Sequence, residues 1–304
     1  MAAVGGREEP AERPLVPRER PRSYYGLPIV RRPAWTWEVP LYFFTGGTAG
    51  ALAATSILAR WSGQHRMGRS ARRMALAGAL VSPALLISDL GRPARFLNML
   101  RVVRPTSPMS LGSWTLAGFG SALGMAEAAD LAGLPVAVTG TMEGAAGILG
   151  PILANYTAVL LGDTANPIWR AGRHLLPFVF SGSSLAAAGG ALCLAGPEEG
   201  RPVSRRMVVV GTALEQAAFL AMESHLGPLA EPYRTGRGGR LARVHRLASW
   251  TSAVLVLARR RSPLLLRLGG AIALGSSALL RQAVYRAGFQ AVDDPSYLVE
   301  SQGP

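Results

Sequence analysis

The residues of this 304-residue chain that could do chemistry are few, and most stand where charge is expensive. Glu215 is surrounded by Ala, Leu and Phe within an apolar stretch, and Asp89, Glu223 and Arg281 fall inside or beside others. Tyr42, Asn155 and Tyr156 place neutral polar groups in similar surroundings. A carboxylate so placed faces a cavity or a proton path, and a phenol beside it can hydrogen-bond a carbonyl. Glu38, Asp163, His174 and His225 lie nearer the ends of apolar stretches, and Glu127 and Glu143 are expected to face water. Resident metal chemistry has little to work with. The single cysteine, Cys193, excludes a disulfide framework, a thiolate zinc site and an iron–sulfur cluster held by this chain alone. The four histidines, His65, His174, His225 and His245, are expected in loops, at interfaces or at helix ends, where paired haem ligation is difficult.

The elements that must position these residues are apolar blocks. Eight follow one another, at about 39–59, 74–91, 111–129, 144–161, 175–195, 207–224, 247–258 and 263–282. A spanning helix needs roughly 17–25 mostly apolar residues, and only the seventh block is short. It spans if its helix starts upstream near Leu241 and carries Arg243 and Arg246 at the interface. Charged residues make up 16% of the chain, below the roughly 25% of soluble domains. All 32 basic residues are Arg, and they fall between the blocks. A basic nucleic-acid-binding protein would instead spread them over amphipathic helices. The pattern predicts an all-α integral membrane protein, a bundle of about eight transmembrane helices packed through small residues such as "SGSSLAAAGGAL". All six Trp, Trp169 included, lie near block ends, as in an aromatic belt. Residues 1–34 read as a polar Arg/Pro-rich tail without a signal peptide, 35–288 as the membrane domain and 289–304 as a polar C-terminal tail.

Eight spans put both termini on one face, here face A. It would carry 20 of the arginines against 12 on the opposite face B, which predicts a cytoplasmic face A. Helix direction places Tyr42, Asp89, Tyr156, Glu223 and Arg281 near face A, with Glu215 in mid-membrane.

Four segments carry a resemblance. "SYYGLPIVRRPAWTWEVPLYFFTGGTAGA" at 23–51, "SDLGRPARFLNMLRVVRPTSPMSLGSW" at 88–114, "YTAVLL" at 156–161 followed by Pro167 and Trp169, and "LRQAVYRAG" at 280–288 resemble the NrfD/polysulfide reductase membrane-subunit family. The family's usual Y-T-G reads Tyr156-Thr157-Ala158 here. The resemblance implies a quinone-reactive membrane anchor with no haem and no metal of its own, in a bacterial cell membrane. Quinone, menaquinone in the expected form, would be a diffusible substrate. Electrons would pass to or from a ferredoxin-like iron–sulfur subunit and through it a molybdopterin oxidoreductase. By motif, the family's polar positions fall on Tyr42, Asp89 and Tyr156, and less directly on Glu215, Glu223 and Arg281. The loop bearing Arg92, Arg95, Arg101 and Arg104 would dock the partner. Quinone reduction consumes two protons with its two electrons, which is work for carboxylates and hydroxyls near the ring.

A proton-coupled secondary transporter without a redox partner is the alternative class. It would favour a repeat between blocks 1–4 and 5–8, and the sequence shows no convincing one. A haem-bearing anchor and a purely structural anchor stand further off. The purified protein should show no reducible Soret band; a band at near one haem per chain would overturn the expectation.

Overall fold

The computed structural model describes residue 30 and residues 33–90, 94–258, 262–294 and 296–297. Most of the N-terminal tail, Arg92 and the last residues of the C-terminal tail lie outside the described residues. The described chain contains no strand. Its helices are α1 (Glu38–Trp61), α2 (His65–Asp89), the short α3 (Ala94–Met99), α4 (Pro108–Leu131), α5 (Val136–Gly162), the short α6 (Pro167–Ala171), α7 (Leu176–Ala195), α8 (Arg201–Leu226), α9 (Gly236–Ala258) and α10 (Pro263–Asp293). Two 3-10 turns, Glu198–Gly200 and Gly227–Tyr233, flank α8.

Local chemistry sets several boundaries. Ser107, Asn166 and Ser262 each precede a proline at the first helical position of α4, α6 and α10. In each case the side chain accepts a backbone N–H of the first turn, so the missing proline N–H costs nothing. Pro83 and Pro151 lie inside α2 and α5, a placement that helix packing in membranes tolerates.

Eight of the helices have 20 residues or more, one for each expected block. Six stretches are long and apolar enough to cross a membrane: α1, α2, α5, α7, α10 and the stretch containing α8. The other two long helices are α4 and α9. α9 starts at Gly236, five residues above the Leu241 that the seventh block required, and takes in Arg237, Arg240, Arg243 and Arg246. At the other end, α10 runs through Phe289 to Asp293, into the segment read as tail.

The long helices form two four-helix units with like packing. In the first, α1 lies against α2 and α5, and α4 against α5 and α2; in the second, α7 lies against α8 and α10, and α9 against α10 and α8. The sequence shows no convincing repeat, and like packing needs only like helix order. The units meet mainly through α1 and α5 against α7, and α1 against α10. Each unit has a glycine crossing between its first and last helices. A Cβ on Gly50 of α1 would lie 2.2 Å from the Gly150 carbonyl oxygen of α5, and one on Gly190 of α7 would lie 2.7 Å from that of Gly270 in α10. Backbones this close exclude any side chain, as in small-residue helix contacts.

Two further expectations are overturned. Trp169 is not an interfacial belt residue: it is fully buried, stacked on Trp35 at 5.9 Å, and its indole N–H donates to the Val284 carbonyl at 3.0 Å. Glu143 does not face water, and Glu127 does so only in part. Fully buried Arg72 of α2 pairs with Glu127 at 2.8 Å and Asp130 at 2.6 Å, while Arg60 of α1 pairs with Glu143 at 2.9 Å. Burying the arginine requires its counter-charges, and these draw the acids inward.

Gly50→Ala should strain the α1–α5 crossing by about 1–3 kcal/mol, as overpacking does. A Cβ on Gly120 of α4 meets nothing within 4 Å, so Gly120→Ala should be silent. Thermal unfolding in detergent would compare the two.

Candidate functional site

A cavity of about 270 Å³ opens where α1 and α4 begin and α2 and α5 end, which is face A. Its wall includes Trp35, Tyr42 and Phe43 from the α1 end, Leu86 and Asp89 from α2, Arg95 and Met99 from α3, Met109 and Ser113 from α4, and Tyr156 and Leu160 from α5. The volume lies just below the range usual for ligand pockets, and the lining has their character, mainly apolar with a few convergent polar groups.

The polar groups are tied to one another. The Tyr42 and Tyr156 hydroxyls hydrogen-bond each other across α1 and α5. Two hydroxyls carry two protons, and their mutual bond uses one, so the pair retains one donor. Tyr42 is 2% exposed, and Tyr156 is partly open. A Cβ on Gly112 would lie 2.0 Å from the Tyr156 ring, so the absence of a side chain at that point of α4 makes room for it. The Asp89 carboxylate accepts the Thr36 N–H at 3.0 Å and the Thr36 hydroxyl at 2.7 Å, which pins the end of α2 to the chain leading into α1. Arg95 donates to the Leu90 carbonyl at 3.2 Å and does not bond Asp89. The short α3 carries Arg95 and Met99 to the cavity, while Arg101 and Arg104 beyond it are exposed.

The six expected polar positions therefore divide. Tyr42, Asp89 and Tyr156 share the cavity with Arg95. Glu223, Glu215 and Arg281 belong to the second unit and do not line it. Glu223 of α8 is buried and ion-paired with Arg246 of α9. Glu215 is 1% exposed and accepts from Ser249 at 2.8 Å and Gln216 at 3.0 Å, with His245 Nε2 at 3.2 Å. His245 is not at an interface, as expected, but fully buried in α9, with Nδ1 2.9 Å from Ser276 of α10. Arg281 donates to the Phe180 carbonyl and the Ser184 hydroxyl, each at 3.0 Å, and its guanidinium lies 3.8 Å over the Phe180 ring. Phe180 in turn neighbours Phe43 of the cavity wall at 6.4 Å, so two rings stand between Arg281 and the cavity. His65, Asp163, His174 and His225 are exposed. Among the described residues no three His, Cys, Asp or Glu side chains gather as a metal site would require.

Sequence reasoning missed Thr36, Gly112, Trp35 and His245. Thr36 and Trp35 sit in the opening motif and Gly112 in the loop motif, but their partners are distant in sequence, and no local signal joins them.

This is a helical integral membrane protein whose first four-helix unit holds a mainly apolar cavity with Tyr42, Asp89 and Tyr156 at its face A end. The sequence pattern of the polysulfide reductase family matches residues 22–293, nearly the whole chain, and the protein belongs to that NrfD-type family. It is accordingly a multi-pass membrane protein of a family of membrane subunits of oxidoreductase complexes. No curated protein matches the chain.

Glu215→Leu should orphan buried donors on Ser249 and Gln216 and cost at least about 1–3 kcal/mol of stability, the penalty for an unsatisfied buried polar group. Glu215→Gln, which keeps an acceptor, should cost less. Thermal unfolding of the purified protein would compare them.

Proposed function

We propose that the protein is the membrane anchor and quinone-reactive subunit of a multi-subunit oxidoreductase, and that the quinone head group occupies the cavity at face A. The observation that carries this is the convergence of Tyr42, Tyr156 and Asp89 from three helices on one largely apolar cavity. The hydroxyl pair donates its remaining proton to a quinone carbonyl. Asp89, held by Thr36 at the mouth, takes up or releases the protons that accompany the electrons. The polyprenyl tail leaves into the bilayer.

A ferredoxin-like iron–sulfur subunit supplies or removes the electrons and links the anchor to a molybdopterin oxidoreductase. It docks over the segment following α2, where exposed Arg101 and Arg104 accompany exposed Leu97, Val102 and Val103 beside the cavity. The arginine excess on that face supports a cytoplasmic partner, and the family resemblance supports a bacterial cell membrane with menaquinone as the form of quinone. The like packing of the two units would also suit a carrier, but carrier sites lie at the bilayer midplane between repeats. This cavity is confined to one end of one unit.

Tyr156→Phe removes one hydroxyl and little volume. It should weaken quinone-linked turnover by about 0.5–1.5 kcal/mol, roughly 2- to 13-fold, the worth of a neutral hydrogen bond. Asp89→Asn should lower it further, because an amide carries no proton at this site. The measurement is quinone-linked electron transfer in membranes, normalised to assembled complex; wild-type turnover in both variants would move the site elsewhere.

A further inference from the structure

A second cleft, of about 480 Å³, lies between α8 and α9 at the end of the bundle opposite the tyrosine cavity. Its position follows from packing. α8 packs extensively on α7, and α9 on α10, but α8 and α9 touch each other far less. The first turns of α8 therefore stand apart from the last turns of α9. The face is fixed by Gly200, just before α8, which abuts Met67 near the start of α2.

The lining changes character with depth. Arg201, Arg205 and Arg206 come from the first two turns of α8, Val210 lies about one turn deeper along α8, and Leu257 belongs to the last turn of α9. Val210 is 56% and Leu257 58% exposed, so both present aliphatic surface outward. Among the described residues Glu198 is the one carboxylate in the lining, and it pairs with Arg201 at 2.7 Å. Guanidinium groups outnumber carboxylates there, and Arg206 is exposed. In a bilayer this puts forked phosphate-binding donors at head-group level directly beside an apolar wall at acyl level. A soluble anion would use only the first feature, and a neutral lipid only the second.

We propose that this cleft binds an anionic glycerophospholipid. Its phosphate lies against Arg201, Arg205 and Arg206, and an acyl chain runs along Val210 and Leu257. The lipid fills the gap between α8 and α9 that the protein leaves open. Basic pockets between membrane helices serve lipid head groups elsewhere by the same physics. The site is separate from the tyrosine cavity and does not depend on what that cavity binds.

The test uses the complete complex, extracted in mild detergent and followed by native mass spectrometry. Phosphatidylglycerol, phosphatidylcholine or inorganic phosphate is added in separate arms. Phosphatidylglycerol should be retained over phosphatidylcholine, and inorganic phosphate should neither be retained nor displace it. Arg206→Gln, at an exposed position, should weaken phosphatidylglycerol retention about fivefold, and Arg201→Gln/Arg206→Gln roughly 25-fold, from the attraction of each basic residue to an anionic lipid. The same loss of charge at exposed Arg170 and Arg243 should change nothing. Unchanged retention in Arg201→Gln/Arg206→Gln would overturn the proposal. So would an equal loss in Arg170→Gln/Arg243→Gln, which would mean unspecific charge attraction. Displacement by inorganic phosphate would make this a soluble-anion site instead.

Discussion

In the hydrocarbon core of a bilayer no water satisfies a polar group, so each one must find its partner inside the protein. Much of this structure follows from that constraint. It explains why Arg72 gathers Glu127 and Asp130, and why Arg60 holds Glu143. It explains why Glu215 is encircled by Ser249, Gln216 and His245. Hydroxyls obey it by bonding back to their own helices, as Thr48 does to Phe44 and Thr55 to Ala51.

The two ends of the first unit answer the constraint differently. At face B, Arg60, Arg72 and Arg73 pair with Glu143, Glu127 and Asp130 across α1, α2, α4 and α5, beside a cleft of about 340 Å³. At face A the same four helices enclose space, and the polar groups there are linked but not exhausted. The hydroxyl pair keeps a donor, and Asp89 is bound only by Thr36 among the described residues. The glycine crossing of Gly50 and Gly150 brings α1 and α5, the helices that carry the two tyrosines, into backbone contact.

The second unit repeats the packing but not the cavity. Where the first unit has its tyrosine pair, the second fills its interior with the Glu215–His245 network and with Arg281 against Phe180. Arg281 bridges α10 to α7 and lies near α1, where a Cβ on Gly47 would meet its Nη2 at 3.4 Å. It therefore stands between the units, behind the cavity wall.

The sequence by itself determined the class and most of the elements. Blocks of apolar residues with arginines between them suit membrane helices, and each of the eight has its long helix, six of them in stretches long and apolar enough to cross a membrane. The family motifs fell on Tyr42, Asp89 and Tyr156, and helix direction placed each at the face A end of its helix. Sequence did not separate these from Glu215, Glu223 and Arg281. Depth along a helix follows from numbering, but the direction a side chain points and the neighbour it meets depend on helix packing. The short seventh block hid His245, since four arginines masked the first half of α9. The partners of Glu127 and Glu143, the burial of Trp169, the Thr36–Asp89 clasp and the repeated packing of the two units were decided by tertiary structure alone. Each joins residues far apart in the chain, through contacts that form only once the helices have chosen their neighbours.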